Sequence, residues 1–167
     1  MSLRRSFVAC CCALSFSAFA ENLSLMPWPQ QVEQPASGEK LRLTPQLTLN
    51  ISGDHLAGAE SRWLARIARQ TGWPLLPAAQ PVEHPTIRVV IARAVDPLPK
   101  PDSDESYQLQ VNGDGVLLSA NTRFGAMRGM ETLLQLIENG DKETAIPYVT
   151  IHDKPRFPWR GLLIDGA

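Results

Sequence analysis

Three kinds of side chain in this 167-residue sequence have the makings of chemistry: one acid pair, three histidines and four tryptophans. Asp104-Glu105 is the single Asp-Glu dipeptide. Two neighbouring carboxyls can share general acid and base duty when their surroundings push their pKa values apart. These two lie in a Pro/Asp/Ser-rich loop just ahead of a strand, where solvated acids are common, so no catalytic role is assigned to them. His55, His84 and His152 show no i,i+4 pairing and no cysteine company, which predicts no metal site. Trp28, Trp63, Trp73 and Trp159 carry indoles of the kind that stack on sugars. Core or interface burial is nevertheless expected, with Trp63 on an apolar helical stripe and Trp159 beside a proline-aromatic linker. No Ser/His/Asp context and no glycine loop for phosphate occurs, and no cofactor is implied. Asn22-Leu23-Ser24 and Asn50-Ile51-Ser52 match the glycosylation pattern, a frequent chance match.

The elements that would position these residues follow from periodicity. Leu41, Leu43, Leu47, Leu49 and Ile51 share one parity, predicting a half-buried strand with edge character near Pro45. Asp54 is placed to cap a helix whose apolar stripe is Leu56, Ala59, Trp63, Leu64, Ile67 and Ala68, stopped by Gly72. Ile87, Val89 and Ile91 mark a second strand. Tyr107, Leu109 and Val111 alternate with Gln108 and Gln110, and Asn112-Gly113-Asp114-Gly115 turns the chain into a partner strand over 116–120, a hairpin. A second helix is expected over about 122–138, with Met127, Met130, Leu134 and Ile137 inside and Arg128, Glu131, Gln135 and Glu138 outside. Gly125 and Gly129, one turn apart, let that helix approach its sheet closely. A last strand covers 145–151. This order predicts an α+β fold, a mostly antiparallel sheet with two helices on one face.

The two ends of the chain differ from the middle. Arg4 and Arg5 precede an apolar, small-residue stretch, and Ala18-Phe19-Ala20 fits a cleavage site, so residues 1–20 are expected to be a secretory signal peptide. Cys10, Cys11 and Cys12 all lie inside it, leaving no thiol, disulfide or Cys metal site beyond it. Without Arg4 and Arg5 the chain has 14 basic against 17 acidic residues, a formal charge of −3. No basic run suggests nucleic acid, and no second apolar stretch is long enough to span a membrane. At the other end Leu162, Leu163 and Ile164, bounded by Gly161 and Asp165, have the pattern of a buried parallel strand. Such a strand needs cover on both faces. The chain is therefore expected to stop at the first strand of a domain it does not contain, with this tail exposed or disordered when alone.

Several motifs in order carry a family resemblance. Glu105-Ser106-Tyr107-Gln108-Leu109, then Gly115-Val116-Leu117-Leu118-Ser119-Ala120, Gly125-Ala126, and Gly129-Met130-Glu131-Thr132-Leu133-Leu134-Gln135-Leu136 resemble the N-terminal domain of glycoside hydrolase family 20. Ile151, Asp153 and Pro155-Arg156-Phe157-Pro158-Trp159-Arg160-Gly161-Leu162-Leu163-Ile164-Asp165 resemble that family's junction and first strand of a (β/α)8 barrel. The opening Met26-Pro27-Trp28-Pro29-Gln30 is similar to its usual start. The division implied is a signal peptide over 1–20, an α+β domain over 21–152, and linker plus truncated barrel strand over 153–167.

The resemblance implies a β-N-acetylhexosaminidase, which removes terminal N-acetylhexosamine from chitin fragments and glycoconjugates. In this family the substrate's own acetamido oxygen attacks the anomeric carbon, oriented by one carboxylate while a second acid protonates the leaving oxygen. That pair follows a His-x-Gly-Gly motif, which this sequence lacks, so no catalytic residue is assigned. Arg160 matches the arginine that opens the first barrel strand; with Trp159 it is expected to be a structural junction rather than a sugar ligand. Asp165 lies at the strand's carboxyl end and is the one candidate for substrate binding, as support for a following arginine that contacts sugar hydroxyls. The partners implied are β-linked N-acetylhexosamine glycans, reached through the missing barrel, in the periplasm or outside the cell. The alternative is a stand-alone module without enzymatic activity that binds glycans or another protein.

Overall fold

The structure is a computed structural model that describes residues 23–54, 56, 58–78, 82–95, 98–157 and 160–161. The element order is β1 (Gln31–Glu33), β2 (Lys40–Leu43), β3 (Leu49–Gly53), α1 (Ala59–Thr71), β4 (Ile87–Ile91), β5 (Tyr107–Asn112) and β6 (Gly115–Ala120). There follow α2 (Arg123–Leu136), β7 (Glu138–Asn139), β8 (Thr144–Pro147) and β9 (Val149–Asp153). A six-stranded sheet has the order β1-β9-β5-β6-β4-β3, and a three-stranded sheet the order β2-β8-β7. The large sheet is mixed. β1, β9, β5 and β6 pair antiparallel, whereas β6, β4 and β3 run parallel, joined by crossovers that include α1. The α+β class stands, and parallel pairing enters where α1 returns the chain between β3 and β4 and where β5 itself carries the chain back between β4 and β6.

Each strand of the large sheet gives one parity to the core. Val32, Ile151, Leu109, Leu118, Val89 and Ile51 lie side by side across all six strands. Ile151, Leu109, Leu118 and Val89 are 0% exposed. At roughly 1.5–3 kcal/mol for each large apolar side chain taken from water, this layer is the main source of cohesion. The neighbouring row, from Gln31 through His152, Gln108 and Ser119 to Val90 and Ser52, forms the wet face. Both helices pack against the sheet and against each other. Arg66 on α1 pairs with Glu131 on α2, and Gln70 Nε2 donates to the Leu134 carbonyl at 3.1 Å.

Four local expectations are corrected. The run from Leu41 to Ile51 is two strands in different sheets, not one. Pro45 offers no amide to a ladder, and a turn closed by Leu47 N donating to the Thr44 carbonyl at 3.0 Å separates them. The run 145–151 divides in the same way, at Tyr148, because β8 serves the small sheet and β9 the large one. Gly58 rather than Asp54 precedes the first turn of α1. On α2, Met127 is 44% exposed while Leu133 is fully buried, so the inner face is rotated from the stripe expected.

The reason for that rotation is the glycine pair. A Cβ on Gly125 would lie 2.1 Å from the Ser106 carbonyl oxygen, and one on Gly129 would lie 2.2 Å from Leu118 Cδ1 and 3.0 Å from Tyr107 Cδ2. The bare side of the helix is pressed against β5 and β6, and the packing turns around it.

Candidate functional site

The described residues hold no group of His, Cys, Asp and Glu arranged to bind a metal ion. What they do hold is a concentrated polar cluster where β9 ends, β5 begins and α2 starts. Thr122 caps α2, its Oγ1 accepting from Gly125 N at 3.3 Å, while the same hydroxyl donates to the Asp104 carbonyl. That bond ties the loop before β5 to the helix that follows β6.

The acid pair is at the centre of the cluster. Asp104 Oδ1 accepts from Ser106 N at 2.9 Å and Ser106 Oγ at 2.6 Å, and Oδ2 accepts from Asn121 Nδ2 at 2.9 Å. The Ser106 hydroxyl bond, opposed by burial and aided by Asn121, the Ser106 amide and Arg93, holds the Asp104 carboxyl below its usual range. Glu105 was expected to be solvated, yet its side chain is only 13% exposed. Arg128 Nε donates to Oε2 at 2.7 Å, and Arg160 Nη2 donates to Oε1 at 2.7 Å and Oε2 at 2.6 Å. Burial pushes this carboxyl up, but the hydrogen bonds and charges of Arg128 and Arg160 outweigh it, and the net shift is downward. Both carboxyls are committed to hydrogen bonds that tie the loop before β5 to Asn121, to α2 and to Arg160.

The segment leaving the domain is fastened at Asp153, the last residue of β9. Its Oδ1 accepts from Gln30 N at 3.1 Å and its Oδ2 from Tyr107 OH at 3.2 Å. The Tyr107 hydroxyl also lies 2.7 Å from Thr132 Oγ1 on α2. Burial and the adjacent Asp153 charge push the phenol up, with the Thr132 bond opposing, so it remains a neutral donor. Beyond Asp153, Gln30 Nε2 donates to the Lys154 carbonyl at 3.2 Å, and Arg160 donates to the Phe157 carbonyl.

Of the residues singled out in the sequence, Arg160 is therefore in the cluster, bound to Glu105. Trp159 and Asp165 lie outside the described residues. Trp63 is buried, as expected, whereas Trp28 is 51% exposed. Asp54 joins a different contact, a bidentate pair with Arg123 at 2.7 and 2.8 Å. Sequence reasoning missed the Glu105–Arg128–Arg160 contact, since these positions share no short-range spacing. On the wet face a groove of about 450 Å³ is lined by, among others, Gln31, Gln108, Ser119, Asn121 and His152.

A family model described as "Glycosyl hydrolase family 20, domain 2" matches residues 22–154. The chain belongs to glycosyl hydrolase family 20. It is thus a member of a glycosidase family, and its relatives agree. Beta-hexosaminidase subunit alpha of Rattus norvegicus is 32% identical over 158 residues, covering 86% of this chain and 30% of that protein. Beta-hexosaminidase subunit A1 of Dictyostelium discoideum is 46% identical over 66 residues, covering 38% of this chain and 12% of that protein. Among solved structures, the chitobiase of Flavobacterium johnsoniae superposes with a TM-score of 0.76 at 33% identity, covering 86% of this chain and 22% of that one. The chain spans under a third of the length of these family 20 proteins.

Proposed function

We propose that this chain is the N-terminal, non-catalytic part of an exported β-N-acetylhexosaminidase. The enzyme would hydrolyse terminal β-linked N-acetylhexosamine from glycans such as chitooligosaccharides by the substrate-assisted retaining route. The single observation that carries this is the family 20 domain match over residues 22–154. Residues 1–20 would direct export and be removed, 21–152 would form the α+β scaffold, and 153–167 would connect it to a barrel and supply the first strand. In that protein Asp165 would support a sugar-binding arginine, and Trp159 with Arg160 would seat the barrel on the scaffold. The chemistry would reside outside residues 1–167, leaving this chain alone inactive.

Two features of the domain favour a scaffold. Its acid pair is committed to hydrogen bonds that hold loops together. Its exposed apolar side chains include Met127 on α2 and Phe157 in the linker, each available for packing against further protein. Among the described residues no helix is long and apolar enough to cross a membrane.

The test is to read the gene beyond codon 167 and express the continued frame. The expected result is a frame running on through Arg-His to His-x-Gly-Gly-Asp-Glu, whose product releases nitrophenol from the β-N-acetylglucosaminide. A stop without any such remnant would instead favour the stand-alone binding module. The groove on the wet face is the feature that module would use, since amide, hydroxyl and imidazole groups suit a neutral polyhydroxyl ligand. Direct glycan binding by the isolated chain, lost on changing Gln108 or His152, would support that second reading.

A further inference from the structure

Glu105 stands one residue after an acid that binds Ser106 and Asn121, and its own partners come from farther along the chain. Arg128 is 23 residues away on α2 and Arg160 is 55 residues away, past the end of β9. Two guanidinium groups meet on one carboxylate that is largely covered, while Arg128 and Arg160 remain 53% and 39% exposed. An exposed pair of this kind contributes little. A covered carboxylate engaged through both oxygens by planar, charge-assisted donors is a stronger and more directional contact. The connecting segment is consequently pinned twice. Asp153 holds its start through Gln30 and Tyr107, and Glu105 holds its end through Arg160.

We infer that Glu105 is a positioning residue: it fixes the direction in which the chain leaves the domain, by gripping Arg160 against Arg128 and β5. Without its charge, two arginines would face each other at short range with nothing between them, and Arg160 would lose its hold on the domain while Asp153 and Lys154 kept theirs through Gln30. Positioning of this kind matters because a displacement of about 1 Å in a remote support can cost a catalytic site on the order of a hundredfold in rate. That consequence rests on the function proposed above. The grip itself does not.

The experiment measures backbone amide order parameters by NMR on the 167-residue chain. Phe157, Arg160 and Gly161 are expected to show S² of about 0.8, near the value for rigid backbone. Glu105→Gln should lower all three below about 0.6, a value typical of flexible chain, while β5 and α2 keep theirs. Arg160→Gln should do the same and cover the case in which Glu105→Gln fails to fold. Arg160→Lys, which keeps a cation beside the Glu105 carboxylate, should retain most of the order that Arg160→Gln loses, a difference that general destabilisation would not produce. Unchanged order in both single variants, or tail-like values in the wild type, would overturn the inference. In the continued frame, Glu105→Gln should reduce kcat about tenfold with KM unchanged, and equal kcat would count against the catalytic consequence. A continued frame without hexosaminidase turnover would refute the proposed function and leave the order parameters standing.

Discussion

Tyr107 shows how one side chain joins three elements. Its hydroxyl reaches Asp153 on β9 and Thr132 on α2 while its ring is buried in the core. Tyr107→Phe keeps the ring and should cost about 1–2 kcal/mol, the loss expected when buried hydrogen-bond partners are left one bond short; urea unfolding measures it. The phenol also makes an alkaline prediction. Its folded pKa lies above the ordinary 10.0, so its contribution is complete below that pH and is lost as pH rises past it. Stability should therefore fall more gently above pH 10 in Tyr107→Phe than in the wild type. Glu105 has the opposite sign. Its folded pKa lies below the ordinary 4.5, so its contribution is present above that pH and vanishes as pH falls through the folded value. Acid unfolding curves should be shallower below pH 4.5 for Glu105→Gln.

At the scale of elements, α2 depends on backbone-to-sheet contact without intervening Cβ atoms. Alanine at Gly125 meets the Ser106 carbonyl, part of the loop that Asp104 and Thr122 hold rigid, whereas alanine at Gly129 meets side-chain carbons of Leu118 and Tyr107. Overpacking costs about 1–3 kcal/mol, against which helix propensity returns about 1 kcal/mol. Gly125→Ala should accordingly lose more stability than Gly129→Ala, read as the shift in denaturant midpoint; the reverse order would show that the helix re-seats freely.

The same helix marks where the sequence was readable. Its place, both glycines and the preceding hairpin follow from local patterns, since each rests on residues within one or two turns of each other. Its inner face was misjudged at Met127 because periodicity alone cannot say where a neighbouring sheet will press. The splits at Pro45 and Tyr148 were hidden for a related reason. A strand pair shared between two sheets keeps one apolar parity, and only long-range pairing reveals that its halves have different neighbours. The cluster around Glu105 was beyond reach altogether, because contacts spanning 23 and 55 residues leave no local signature.

On the scale of the whole molecule, the domain has a finished core on one side of its large sheet and a polar surface on the other. Its polar capital is concentrated where the chain departs. Carboxylates held ionised by arginines and hydroxyls serve rigidity, and a glycosidase needs a carboxyl free to give and take protons. On the function proposed above, the domain would serve as a support for chemistry performed elsewhere in a family 20 enzyme. The most direct test is nitrophenol release from the β-N-acetylglucosaminide by the purified 167-residue chain and its Glu105→Gln variant. The account predicts background release from both; turnover by the wild type that Glu105→Gln abolishes would contradict it.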